Sequence, residues 1–448
     1  MIAGDPALRG PVVRSERTNS SNLDLHEILS ERIDWRFKSF PQRKPFPSIG
    51  DVPALAWNAL NGDFSFPVLV LKDSALQHNI DLMAAYCRQN GVSLAPHVKT
   101  PLSPQIAARQ LAAGAYGLSV ATIHQARVLR AAGATNIILA NQLLDKESID
   151  WVTQELGTDP AFEFTCLIDS LGGLELMESY LARQPSGPPR KLRVLLEMGI
   201  PGGRCGCRSI QEALALAEAI ASSLHVELGG VETYENVFSL DDFTHSLGRV
   251  DEMLGVLREL VTRLDSEAHF AHLDEAVVSA GGSIFFDRVV EDLTDWHLSV
   301  PVRTVLRSGA YITQDAVYYG NLSPLDGRAG SGPHLRQALE LWAMVISRPE
   351  PELAILGLGK RDAAHDRGFP IPFAIRHNLQ QPIPTTRLRV LSLNDHHARC
   401  QVTADAPLKV GDLVGLHISH PCTSFDHWRL VPLVDDAYHV RGAIRSYL

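Results

Sequence analysis

The chain has 448 residues, 45% apolar and 21% charged, and its 41 basic and 51 acidic residues leave a formal net charge of −10. That length supplies two or three domains, or one barrel of ~250 residues with a smaller partner, and enough chain to bury a full core. The acidic balance and the lack of a Lys/Arg stripe exclude a nucleic-acid-coating role, which needs a basic patch.

In chain order, residues 1–22, rich in Pro, Arg, Ser and Asn with no apolar stretch, read as a disordered tail. From Phe66 onward, apolar runs rich in Val, Ile and Leu alternate with segments of helical period. The runs are VLVLK (68–72), SLAPHVK (93–99), AYGLSVAT (115–122), NIILANQL (136–143), FEFTCLID (162–169), KLRVLLEMG (191–199), HVELGGVETY (225–234), AVVSAGGS (276–283) and VRTVLRSGAY (302–311). Between them lie stretches such as SPQIAARQLAAG and ATIHQARVLRAAG, helical in period and closed by Gly. This alternation predicts an α/β fold with a parallel sheet, and its even βα spacing favours a TIM barrel over a doubly wound sheet. Nine runs are one too many for eight barrel strands, so the first or the last belongs elsewhere. After Gly320 the texture becomes short strand-like runs with turn residues between them, which predicts a second, mostly-β domain.

Lys99, in LAPHVKTPLSP, sits at the carboxyl end of a predicted barrel strand, the face where barrel active sites lie. A lysine partly desolvated there has a lowered pKa and suits a Schiff base and proton abstraction; equally, it is a lysine snorkelling at a strand end. SAGGS (279–283) and RSGAY (307–311) end the last two strands with small residues, as phosphate-binding loops do. Two such loops opposite a candidate Schiff-base lysine point to pyridoxal phosphate. Near the C-terminus His420 and Cys422 flank a proline, and in an extended segment both project to one side, where imidazole and thiolate suit zinc. The alternative is a core cysteine beside a surface histidine.

Other features carry less. Six cysteines, at 87, 166, 205, 207, 400 and 422, do not form a secreted disulfide framework, so a reducing, cytoplasmic setting is expected. Cys205 and Cys207 lack the second pair of a zinc ribbon, and GLGKRD (357–362) lacks the spacing of a phosphate-binding Walker loop. His396–His397 read as a turn, and Asp241–Asp242 and Asp435–Asp436 as solvated faces. No run approaches the ~18 apolar residues of a membrane span.

Taken together, PHVKT with Lys99, AAGAYGLSVATIHQA, Asn141 of LANQ, EMGIPGGRCG with Arg204, GVETYEN with Tyr234, SAGGS, RSGAY and the terminal H-x-C resemble the fold type III, alanine-racemase-like pyridoxal phosphate enzymes. Within them the chain is similar to the D-serine dehydratase and D-threonine aldolase group, nearest the bacterial branch labelled amino-acid deaminase or D-serine-deaminase-like. The resemblance implies that the first strand joins the β domain. The domains then become a segment at 23–72 joining the β domain, a barrel over 73–312 and a β domain with the metal site over 313–448. It implies Lys99 as the Schiff-base lysine and α-proton base, and Ser279, Gly281, Gly282, Ser283, Gly309 and Ala310, with Tyr311 beside them, at the cofactor phosphate. Arg204 would lie near the phenolic oxygen, Tyr234 or Arg307 near the pyridine nitrogen, and His420 and Cys422 on zinc.

The activity so implied is elimination of the β-hydroxyl of a β-hydroxy-D-amino acid to a 2-oxo acid and ammonia, H-x-Cys looking like the dehydratase side and H-x-Asp like the aldolases. The alternatives are an aldolase-type cleavage to glycine and aldehyde, or a cofactor-binding relative without turnover. A homodimer is implied as well. Pro101–Leu102 after the lysine motif and Asn236–Val237 after the tyrosine depart from the family pattern, which points to a reshaped substrate pocket.

Overall fold

The computed structural model describes residues 23–448 except 184–189, 236–237, 239–242, 318, 327, 329 and 379. The expected tail at 1–22, Asn236–Val237 and Asp241–Asp242 therefore lie outside the described residues.

Nine of the apolar runs fold as β1 (Val68–Lys72), β2 (Ser93–Leu94), β3 (Leu118–Val120), β4 (Asn136–Gln142), β5 (Glu163–Ile168), β6 (Leu192–Met198), β7 (Val226–Thr233), β8 (Ala276–Ala280) and β9 (Val302–Leu306). β2 to β9 form one parallel sheet in the order β2-β9-β8-β7-β6-β5-β4-β3. Backbone bonds from Tyr116 N–H to Leu94 O (2.7 Å), Ser119 N–H to Pro96 O (3.0 Å) and Val98 N–H to Ser119 O (2.9 Å) join the first of these strands to the second and close the sheet into a barrel. The crossover helices start where the sequence offers a cap: Thr122, Asp145, Ser170 and Ser209 each accept a first-turn N–H through the side chain. Two of them stop at Gly114 and Gly133, both with positive φ, which only glycine adopts without strain.

The remaining strands are β10 (Leu339–Glu350), β11 (Leu353–Leu356), β12 (Ile371–Arg376), β13 (Ile383–Pro384), β14 (Leu388–Leu393), β15 (Ala398–Val402), β16 (Leu413–His417), β17 (Leu430–Val434) and β18 (Val440–Arg445). They build a second, ten-stranded sheet that includes β1. β1 lies antiparallel to β10 (Val68 opposite Trp342) and parallel to β17 (Leu71 opposite Leu433). All five of its residues are buried, so the surplus run, the first in the chain, is a central strand of the second sheet. Residues 23–67 cover the far side of this sheet: Phe37, Phe40, Trp57 and Phe64 pack with Val68, Val70, Trp342 and Tyr438. His396 and His397 turn between β14 and β15, as expected.

Inside the barrel Ala95, Ile138, Leu167, Leu195, Val277 and Val305 make an apolar plug contributed by six strands. Side chains alternate along a strand, so residues two further on share the inward face one layer higher. Above Ala95, Leu195, Val277 and Val305 those positions are His97, Glu197, Ser279 and Arg307, and parallel register sets Glu232 of β7 between Glu197 and Ser279 in the same layer. An apolar floor thus carries a polar layer at the carboxyl end of the barrel.

Candidate active site at the barrel mouth

Lys99 stands at this end, after β2, open to solvent yet closely walled. Desolvation, opposed by the Cys422 thiolate and joined by the Arg204 and Arg307 charges, lowers its pKa below the ordinary lysine value. Its own N–H reaches His97 Nδ1 at 3.4 Å. Burial, with the charges of Lys99, Arg307 and Arg204, lowers the His97 pKa so that this imidazole stays neutral. Three cations therefore converge on one mouth, an environment made for an anionic ligand.

Arg204 reaches the mouth because the loop after β6 doubles back. Cys207 N–H bonds to Glu197 O at 2.8 Å and Gly199 N–H to Cys207 O at 3.0 Å. A side chain at Gly206 would meet Gly199 N at 2.3 Å, so the fold-back requires glycine there. Arg204 then lies over the Tyr234 ring, 4.4 Å from its centroid. Cys205 is exposed, and Cys207 is buried with its Sγ toward Asp169 O at 3.2 Å. Asp169, Glu197 and Cys205 bring one ligand atom each within 4.8 Å of one another.

The two glycine-bearing loops meet as expected, but four of the residues expected there make other contacts. Gly281 and Gly282 donate their N–H groups to the Glu235 carboxylate, at 3.1 and 2.5 Å, so these amides serve a side chain. Ser279 Oγ donates to Val305 O (3.0 Å) and accepts from Arg307 Nη1 (2.6 Å), which ties it inside the barrel wall. Tyr311 is buried away from the mouth, its hydroxyl accepting from Gln110 at 2.8 Å; the turn Ala310–Ile312 directs it into the packing around the helix Pro104–Ala112. Ser283, Gly309 and Ala310 remain at the junction of the loops. Gly309 packs so tightly on the segment after β2 that a Cβ would stand 2.2 Å from His97 O.

Arg307 lies beneath them, ion-paired with Glu232 at 2.5 Å and donating to Thr233 O at 3.1 Å. Neither Glu232 oxygen has a well-directed hydrogen-bond donor among the described residues. Burial raises the Glu232 pKa against the opposing pull of Arg307. Glu197, opposite Glu232 on the neighbouring strand, accepts from Gln142 at 2.5 Å. Burial and the Glu232 charge push its carboxyl up to about 8.

The C-terminal pair closes the mouth. His420 caps the short helix Pro421–Phe425, so Cys422 is helical and the extended-segment geometry expected from sequence does not hold. The cap still brings the two side chains into hydrogen-bond contact. Cys422 Sγ lies 3.1 Å from Thr100 Oγ1, the residue next to Lys99. Burial opposes ionisation of the thiol, but His420, Thr100 and Lys99 together hold its pKa below the ordinary value. Asp366, which sequence reasoning did not single out, contacts His420 Nδ1 at 2.6 Å and accepts from Thr423 at 2.9 Å. This contact engages Nδ1 and fixes the orientation of the imidazole, as carboxylates do for metal-binding histidines. Lys38 braces the Asp366 segment from the N-terminal region by bonding Asp362 at 3.0 Å over the Trp428 ring.

The residues present suit both groups. A depressed lysine and two arginines at a barrel mouth fit a phosphorylated carbonyl compound, and an N/S donor pair with an oriented imidazole fits a borderline metal. Among the described residues no helix is long and apolar enough to cross a membrane.

Residues 72–267 match the alanine racemase N-terminal domain family and residues 338–434 the putative serine dehydratase domain family. The 3-hydroxy-D-aspartate aldolase of Paracoccus denitrificans (strain Pd 1222) is 23% identical over 383 residues, 84% of this chain and 90% of its own. The D-threo-3-hydroxyaspartate dehydratase of Delftia sp. (strain HT23) is 31% identical over 172 residues, 38% of this chain and 43% of its own. The crystal structure of D-threonine aldolase from Filomicrobium marinum superposes with a TM-score of 0.70 at 22% identity, covering 86% of this chain and 95% of that one. Residues 72–267 thus belong to the alanine racemase N-terminal domain family and residues 338–434 to the putative serine dehydratase domain family, the two carried in this order on an alanine-racemase-like fold.

Proposed function

We propose that the chain is a pyridoxal phosphate- and zinc-dependent lyase that removes the β-hydroxyl of a β-hydroxy-D-amino acid, giving a 2-oxo acid and ammonia. The observation that carries this reading is the 3.1 Å contact between Cys422 and Thr100, which sets the His420–Cys422 pair beside Lys99. Supporting it, D-threo-3-hydroxyaspartate dehydratase structures include alanine variants at a histidine and a cysteine two positions apart, the cysteine variant in a metal-free form. That spacing is the one between His420 and Cys422.

When bound, the cofactor ring supplies an electron sink for charge developing at Cα, and the metal a Lewis acid for the departing hydroxyl. Lys99, with its lowered pKa, is the amine that attaches the cofactor and then the base that takes the α-proton. Ser283, Gly309 and Ala310 would hold the phosphate, Arg204 the phenolic side, and Arg307 or Tyr234 the ring nitrogen. His420 and Cys422 would hold the metal, with Asp366 fixing the imidazole. The hydroxyl leaves as water, and hydrolysis of the resulting enamine releases the 2-oxo acid and ammonia. In the same reading the protein is a cytoplasmic homodimer, in keeping with six unpaired cysteines.

Retro-aldol cleavage is the second reading, favoured by the alignment of the 3-hydroxy-D-aspartate aldolase over 84% of the chain. Purified protein incubated with D- and L-serine, threonine and 3-hydroxyaspartate, with and without chelator, separates the two. Chelator-sensitive 2-oxo acid and ammonia from the D-enantiomers alone is the expected result. Glycine and aldehyde would transfer the chain to the aldolases, and a Lys99→Ala variant that kept turnover would end the lysine assignment.

A further inference from the structure

Glu235 is fully buried at the end of the barrel's β7 strand, and its carboxylate accepts from Gly281 N–H (3.1 Å), Gly282 N–H (2.5 Å) and its own N–H. The opposite edge of the same two glycines is held as well. Ser308 Oγ lies 3.0 Å from Gly281 O and 2.9 Å from Gly282 O, and Arg307 N–H bonds to Gly281 O at 3.2 Å. Gly281 has φ +96°, and a Cβ on it would meet Leu306 at 2.7 Å, so glycine is required there. A glycine pair is the most mobile backbone available. Without anchors it would sample many arrangements, and any anion bound by its neighbours would bear the cost of ordering it.

We propose that Glu235, assisted by Ser308, is a positioning residue that fixes the Gly281–Ser283 loop for the cofactor's phosphate, as a permanent clamp and not as a ligand that the phosphate displaces. The inference rests on the cofactor reading above. Burial fits it: the carboxylate has no solvent exposure and accepts from three N–H groups, all of which rotation toward a ligand would forfeit. The clamp also explains why phosphate contact passes to Ser283, Gly309 and Ala310, the members of the two loops not already engaged.

The test compares pyridoxal phosphate with pyridoxal, which has the same carbonyl and ring and no phosphate. Apo wild type, Glu235→Gln and Ser308→Ala are titrated with each compound, following the visible absorption of cofactor bound to Lys99, with circular dichroism to establish folding. Glu235→Gln turns one acceptor into a donor facing a backbone N–H. Its affinity for pyridoxal phosphate is expected to fall about tenfold or more, the scale of a lost hydrogen bond to a charged group. Affinity for pyridoxal should stay within about twofold, and Ser308→Ala should shift the same ratio in the same direction and supply the answer if Glu235→Gln does not fold. Equal losses for both compounds, or no loss for either, would overturn the inference by reducing Glu235 to general scaffold. Tighter pyridoxal phosphate binding would also overturn it, by making Glu235 a competitor. Wild type that binds neither compound would instead overturn the cofactor reading and the inference with it.

Discussion

Replacing Arg307 by alanine removes the counter-charge of a carboxylate that is 1% exposed. Three contacts go with it: the 2.5 Å ion pair to Glu232, the 2.6 Å bond to Ser279 Oγ and the 3.1 Å bond to Thr233 O. Glu232 then cannot stay ionised and must take up a proton on folding. An ordinary glutamate ionises near 4.5. Holding it protonated at pH 7, about 2.5 units higher, costs up to ~3.4 kcal/mol at ~1.36 kcal/mol per unit. For a chain of this length the unfolding entropy is roughly 0.9 kcal/mol per degree, so the melting temperature should fall by roughly 3–4 °C.

The sign follows from a folded-state pKa raised above the unfolded one. Stability is fully present below about pH 4.5 and is lost as pH rises toward the folded value, so the deficit of Arg307→Ala should shrink by up to ~2.7 kcal/mol between pH 7 and pH 5, less whatever part of that dependence the raised Glu232 already gives the wild type. Adding Glu232→Gln removes the ionisable group and should recover much of the loss at pH 7. The assay is thermal and denaturant unfolding of apo protein across pH 5–8. A double variant as unstable as Arg307→Ala, or a deficit that does not change with pH, would refute the unpaired-carboxylate reasoning.

Three further outcomes follow from the same geometry. Glu197, with its carboxyl pushed up to about 8, destabilises the wild type progressively from about pH 4.5 upward; Glu197→Gln should abolish that slope in a pH series of unfolding midpoints. Asp366→Ala should weaken metal affinity ~10–100-fold by releasing the His420 ring, measured by competition with a chromogenic chelator; unchanged affinity would show that the 2.6 Å contact does not orient a ligand. Tyr311→Phe, which deletes the hydroxyl bonded to Gln110, should cost ~1 kcal/mol of stability and leave pyridoxal phosphate affinity unchanged, whereas an affinity loss would return Tyr311 to the cofactor site.

Sequence alone reached the barrel because the evidence for it is local: apolar runs rich in Val, Ile and Leu, helical spacing between them, and glycine stops at Gly114 and Gly133. The same locality exposed Lys99 at a strand end and the pairing of two small-residue loops. Which sheet received VLVLK was not local, since its neighbours β10 and β17 lie more than 250 residues away.

The acid layer was equally hidden. Glu197, Glu232 and Glu235 read as ordinary charged residues until parallel register set the first two side by side and turned the third onto Gly281 and Gly282. Tyr311 and Ser279 sit in motifs that resemble cofactor loops, yet a turn of three residues and the inward face of β8 decide that their hydroxyls bond to protein. His420 and Cys422 were legible as a pair. That they close over Lys99, with Asp366 behind the imidazole, was decided by the packing of the second sheet on the barrel, because the contacts that place them span 54 and 322 residues of chain. Local pattern selects elements and chemistry-bearing residue types; only long-range packing brings those residues within reach of one another.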